Sequence, residues 1–226
     1  MNAMEMSKFV VLLVLAVLAV ACQAASNKTR PPEVAGAFYP DDPAELTRMI
    51  DGWLAKAAPP GEQVVGLVVP HAGYVYSGAV AAEAYAWLKG KKVDRVVVIS
   101  PSHVDRFPFA AVYDGLAYST PLGKIPVDAA FAAALAKSSR LIQISGRGHD
   151  GTGARAEHAL EVQLPFLQRV LGEFKLVPIV MGEQSYEICR ALGLALAASI
   201  KDSSTIIVAS SDLSHYHPYD QAVKLD

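Results

Sequence analysis

Three short apolar runs, each ending in a histidine-bearing turn, constrain this chain more than any other feature. The run 64–69 leads into Pro70-His71-Ala72-Gly73-Tyr74, the run 95–100 into Pro101-Ser102-His103, and the run 205–211 into Asp212-Leu213-Ser214-His215. Each is dense in Val and Ile and is closed by a turn residue, which is the pattern of a buried strand. Helical patterns separate the runs. The strands are therefore expected to lie largely parallel in one central sheet with helices on both faces, an α/β fold of the three-layer αβα sandwich type. In such sheets ligands gather outside the carboxyl ends of the strands. His71, His103 and His215 are thereby expected at one sheet edge, although they are far apart in the chain.

The amino terminus has a different character. Lys8 precedes an unbroken apolar run, 9–20, which ends at Ala21-Cys22. A positive start, an apolar core and small residues before a cut describe an export signal over residues 1–21. The run is too short to span a bilayer comfortably as a permanent helix. The small residues before Cys22 resemble a bacterial lipobox, in which that cysteine is acylated. The protein is then a lipoprotein that meets the membrane only through its anchor and faces the periplasm or the cell exterior. An ordinary cleaved signal, and a misassigned start ahead of a cytoplasmic protein, are the alternatives. Residues 22–32 are small and polar, end in Pro31-Pro32, and read as a tether. Residues 33–226 read as one domain.

A formal net charge of −2 without a basic cluster gives no electrostatic case for nucleic acid. With Cys22 used by the signal only Cys189 remains, so no internal disulfide can form. Cys189 lies in a helical pattern and reads as a small core residue. Asp42-Pro43 caps a helix expected over 43–56. Further helices are expected over 79–88, 127–138, 157–171 and 184–200, strands over 109–113 and 174–180, and a turn-rich loop over 118–123. The glycine-rich stretch 145–153 lacks the spacing of a phosphate-binding loop. It reads as a mobile lid with His149 exposed. Residues 218–226 read as the first turns of a helix, and the domain reads as truncated there.

Paired neutral imidazoles from His71 and His103 suit Fe, Cu or Zn, but two ligands do not make a secure site. Asp212 and His215, spaced i, i+3 beyond a strand, suit a carboxylate–imidazole pair in which Asp212 fixes the tautomer of His215. Asp212 could equally cap the following turn. His217 reads as a solvent-facing or outlying histidine. Glu157-His158-Ala159-Leu160-Glu161 opens the 157–171 pattern, where acids suit a helix start, and His158 and Glu161 share a face. Neither Ser77 nor Ser211 lies in a nucleophile elbow, and no His-Glu-x-x-His pair is present.

Taken together, Pro70-His-Ala-Gly-Tyr74 with Ser77-Gly78, Ser100-Pro-Ser-His103, Thr120-Pro-Leu-Gly123, Glu157-His-Ala-Leu-Glu-Val-Gln-Leu-Pro-Phe166 and Ser210-Ser-Asp-Leu-Ser-His215 resemble the Memo family, also called AmmeMemoRadiSam system protein B. The resemblance runs from about Arg30 to Asp226. It implies a fold similar to the class III extradiol dioxygenases, which use non-haem Fe(II), and it associates the chain with a radical SAM protein and an AMMECR1-like protein. It implies His71 and His103 as metal ligands, with Asp212, His215, His158 and Glu161 as the neighbouring catalytic groups. The family's further ligand-position cysteine has no counterpart before residue 226. A redox metal, Fe(II) or Cu(I), is the cofactor this implies. Three functions follow as expectations: a Memo-like metal-binding protein with redox or oxygen-related chemistry, an Fe(II)-dependent ring-cleaving dioxygenase, and a non-catalytic module that binds a peptide or small ligand.

Overall fold

The computed structural model describes residues 28–58, 64–151 and 156–226. The signal segment 1–21, Cys22 and the first part of the tether lie outside the described residues. Among the described residues, no helix is long and apolar enough to cross a membrane.

In chain order the elements are β1 (Thr29–Arg30), α1 (Pro43–Leu54), β2 (Gly66–Val69), α2 (Tyr74–Ala86), β3 (Arg95–Pro101), β4 (Ala110–Val112), β5 (Ala117–Thr120) and β6 (Gly123–Pro126). There follow α3 (Ala129–Ala136), β7 (Ile142–Ile144), a 3-10 turn (Glu161–Gln163), α4 (Leu164–Leu171), β8 (Lys175–Met181), α5 (Tyr186–Ser199), β9 (Thr205–Ser210) and α6 (Tyr219–Leu225). The main sheet has the order β2-β9-β3-β8-β4-β7, parallel throughout except between β4 and β8. A small second sheet, β1-β5-β6, stands beside it.

The strands of a sheet buried on both faces must be apolar at every position. Accordingly Val96 and Val98 of β3 join the core beneath α1, α2 and α4, while Val97 joins the core beneath α3 and α5. Leu176 and Val180 of β8 face the first core, and Val177 and Ile179 the second. This is the three-layer sandwich read from the runs. Three helices start where a side chain supplies a missing acceptor: Asp42 accepts from the Glu45 N–H, Asp128 from Phe131, and Ser185 from Ile188.

Several expectations are corrected. Helix α2 begins at Tyr74, directly behind the His71 turn rather than at residue 79. The 157–171 pattern does not begin as a helix, because the Glu157 carboxylate accepts from the His158 and Ala159 N–H groups and turns the chain; α-helix starts only at Leu164. Residues 117–126 form the β5–β6 hairpin instead of a loop, since Thr29–Arg30 supplies β5 with a parallel neighbour. Arg30 is thus built into the domain ahead of residue 33, within the stretch read as tether. Cys189 lies on the exposed face of α5, between buried Ile188 and Leu192. His149 is buried, and the described part of its loop is a pinned turn rather than an open lid.

Candidate metal centre

The carboxyl ends of β2, β3 and β9 come to one edge because all three strands run the same way. His71 follows β2. Its backbone N–H donates to Asp212 Oδ1 at 2.5 Å, and the Ala72 N–H donates to the same oxygen at 3.0 Å. Asp212, beyond β9, therefore fixes the turn that carries His71. Its second oxygen lies 3.7 Å from His71 Nε2. The Asp212–His215 pair expected from their spacing does not form: His215 Nδ1 instead contacts the Leu213 carbonyl at 3.2 Å, and His215 is exposed. Around it, Leu213 and Tyr216 adopt positive φ (56° and 61°), sparsely populated for such residues.

His103 follows β3 and is gripped by Glu157. The Glu157 carboxylate accepts from the His103 backbone N–H and lies 3.0 Å from its Nδ1. It is almost wholly buried. Burial opposes its charge, but these hydrogen bonds outweigh burial and hold its carboxyl below the usual range. An ionised carboxylate only accepts, so His103 donates from Nδ1, and its neutral form has a bare Nε2.

His158 is the member of the cluster that strand-end reasoning did not place among the ligands. Its ring stacks on His103 (centroids 4.6 Å apart, 25°) and, through the other contact, on Phe38 (4.3 Å, 28°). The His71 ring stands nearly perpendicular to both imidazoles, at 5.2 Å from His103 and 5.6 Å from His158. One ligand nitrogen from each of His71, His103 and His158 lies within 4.8 Å of the other two. Burial pushes His158 down to about 4 and also lowers His71, whereas the Glu157 hydrogen bond raises His103. Near pH 7 the first two are thus neutral, the form that binds a metal. Three neutral-capable imidazoles are a donor set that fits Fe, Cu or Zn.

Glu161, grouped with His158 by its spacing, does not join the imidazoles. It is fully buried and pairs with the Arg30 guanidinium, while also accepting from Tyr39 Oη at 2.6 Å, the Val34 N–H at 3.0 Å and the Glu33 N–H at 3.1 Å. Arg30 donates further to the carbonyls of Glu157, at 2.6 Å, and His149, at 2.7 Å. Glu161 thus ties the amino-terminal arm across the segment that carries Glu157 and His158. That arm helps to form a cavity of about 520 Å³, walled by Val34, Phe38, Val104, Ala156, His103 and His158. Any molecule in it meets two of the three imidazoles.

Sequence reasoning missed Arg30, Ser210, Gln163 and the grip of Glu157. Only Glu157 left a trace, as an acid beside a histidine, and there it read as helix-end chemistry.

A family model described as Memo-like protein matches residues 30–226. A MEMO1 family protein of Methanopyrus kandleri is 39% identical over 210 residues, which cover 87% of this chain and 72% of that protein. One from Nitrosopumilus maritimus is 37% identical, covering 86% and 74% of the two chains. Another from Methanocaldococcus jannaschii is 38% identical, covering 88% and 74%.

Proposed function

The chain belongs to the Memo-like protein family, and from that premise we propose that it binds a transition metal, Fe(II) or Cu(I), through His71, His103 and His158. The approach of three imidazole nitrogens to within 4.8 Å of one another carries this reading. Such a metal supplies one-electron and O₂ chemistry when bound. The protein's own residues do the rest. Glu157 holds the His103 proton on Nδ1, Asp212 fixes the His71 turn and leaves one oxygen near Nε2, and Phe38 packs against His158 beside the cavity. His215, exposed beyond β9, stands where it can exchange a proton with a molecule entering from solvent.

Anaerobic titration with Fe(II) and Cu(I) tests the proposal. His71→Ala, His103→Ala and His158→Ala should each weaken binding by more than the roughly 10–100-fold that loss of an outer partner costs. If His71→Ala and His103→Ala bind as tightly as the parent, the imidazoles are structural and the ligand-binding module takes precedence. Oxygen uptake with catechols by the Fe(II)-loaded protein separates ring cleavage from other redox roles. The proposal includes export and acylation at Cys22, which mass spectrometry of the native protein would overturn by finding residues 1–21 retained. It includes radical SAM and AMMECR1-like partners, to be sought by co-purification.

A further inference from the structure

Three side chains behind His71 form a hydrogen-bond chain whose direction can be worked out atom by atom. Ser210 Oγ, at the end of β9, touches the Ala159 carbonyl at 2.6 Å, Gln163 Nε2 at 2.7 Å and His71 Nδ1 at 2.9 Å. A serine hydroxyl has one proton and two lone pairs. The Ala159 carbonyl can only accept, so it takes the hydroxyl proton. The Gln163 amide nitrogen can only donate, so it takes one lone pair. The remaining lone pair faces His71 Nδ1, which must therefore carry hydrogen.

The orientation of the Gln163 amide is itself fixed. Its nitrogen also reaches the Pro70 carbonyl at 3.0 Å, and its oxygen accepts from Tyr85 Oη at 2.8 Å. A flipped amide would set oxygen against the Pro70 carbonyl. Tyr85 is wholly buried, and burial raises its hydroxyl well above the ordinary tyrosine value, so it stays a donor. Gln163 and Ser210 are themselves almost fully buried, so water does not compete for these contacts. A second geometric fact agrees. Asp212 Oδ2 stands 3.7 Å from His71 Nε2, too far for the hydrogen bond that a protonated Nε2 would make with a carboxylate.

We propose that Ser210, held by Gln163 and Tyr85, is the positioning residue that locks His71 in the Nδ1–H tautomer and leaves Nε2 bare toward His103 and His158. This deepens the metal-binding reading and rests on it for its consequence, although the tautomer itself does not. His71 and His103 then use the same device with different acceptors, a neutral hydroxyl for one and a carboxylate for the other. The two ligands differ in basicity as a result, because a carboxylate draws more strongly on the imidazole proton.

The test is a long-range ¹H–¹⁵N correlation spectrum of the metal-free, full-length protein at neutral pH, with the His71 signals assigned by their loss in His71→Gln, alongside Fe(II) titration. The wild type should show His71 protonated at Nδ1 alone. Ser210→Ala should mix or reverse the tautomer and weaken Fe(II) binding about tenfold or more. Ser210→Thr should restore both. A wild-type His71 protonated at Nε2 would overturn the proposal, as would an unchanged tautomer in Ser210→Ala. If the tautomer is as expected but the wild type takes up no Fe(II), the lock stands and the metal reading fails.

Discussion

The buried polar residues around the site do structural work that their types alone conceal. Arg30 and Glu161 are both nearly inaccessible and satisfy each other with help from Tyr39 and two backbone N–H groups. Removing one partner of such a pair strands the other's charge out of water. Glu161→Gln should cost about 3–5 kcal/mol in equilibrium denaturation, and a cost under about 1 kcal/mol would show that the arm is held by its apolar contacts. His71 and His103 were legible because imidazoles at two strand ends suggest a shared site. Glu161 was misread because the i, i+3 rule presumes a helix, and residues 157–160 are not helical. His158 was legible only as a neighbour of acids, since nothing local reports that the chain doubles back beneath His103.

At the scale of elements, two glycines in helices should respond oppositely to alanine. Gly78 of α2 faces the Trp53 ring of α1, and an added Cβ would come within 2.4 Å of it. That ring is itself stacked on Phe166 and edged by Tyr74, so it cannot swing away freely. Gly78→Ala should destabilise by about 1–3 kcal/mol despite the better helix propensity of alanine. Gly193 of α5 has nothing within 4 Å of the same position. Gly193→Ala should stabilise by about 0.5–1 kcal/mol, and thermal melts of the two variants give the signs directly. The long apolar runs were readable as strands because the central strands β3 and β8 are buried on both faces. Edge strand β2, read as buried, leaves Val68 exposed. The β5–β6 hairpin was not readable, because β5 also pairs with a two-residue strand, Thr29–Arg30, that lies outside any local window.

The whole molecule should be acid-labile for a stated reason. His149 is fully buried, with Nε2 2.9 Å from the Ala111 carbonyl and Nδ1 2.5 Å from Tyr118 Oη. Burial pushes it down to about 3, while the unfolded chain protonates near 6.5. The native state then refuses a proton that the unfolded state takes, so this stability is present above about pH 6.5 and is lost as the pH falls toward 3. The loss approaches about 1.4 kcal/mol per pH unit. His158, lowered to about 4, acts in the same direction. Urea midpoints between pH 7 and 4 should therefore fall steeply, and His149→Gln should flatten the slope, whatever it does to stability at pH 7. A slope unchanged in that variant would assign the acid transition to His158 and the carboxylates.

The contacts that assemble the imidazole cluster span great lengths of chain. Asp212 closes on His71 across 141 residues, Ser210 on the same ring across 139, and Glu161 on Arg30 across 131. Loops of that size close late, since their entropy must be met before any local reward arrives. During synthesis residue 212 must leave the ribosome before its carboxylate can pin the His71 turn. A chain stalled between residues 158 and 210 would carry all three imidazoles yet lack the Ser210 and Asp212 contacts that seat His71.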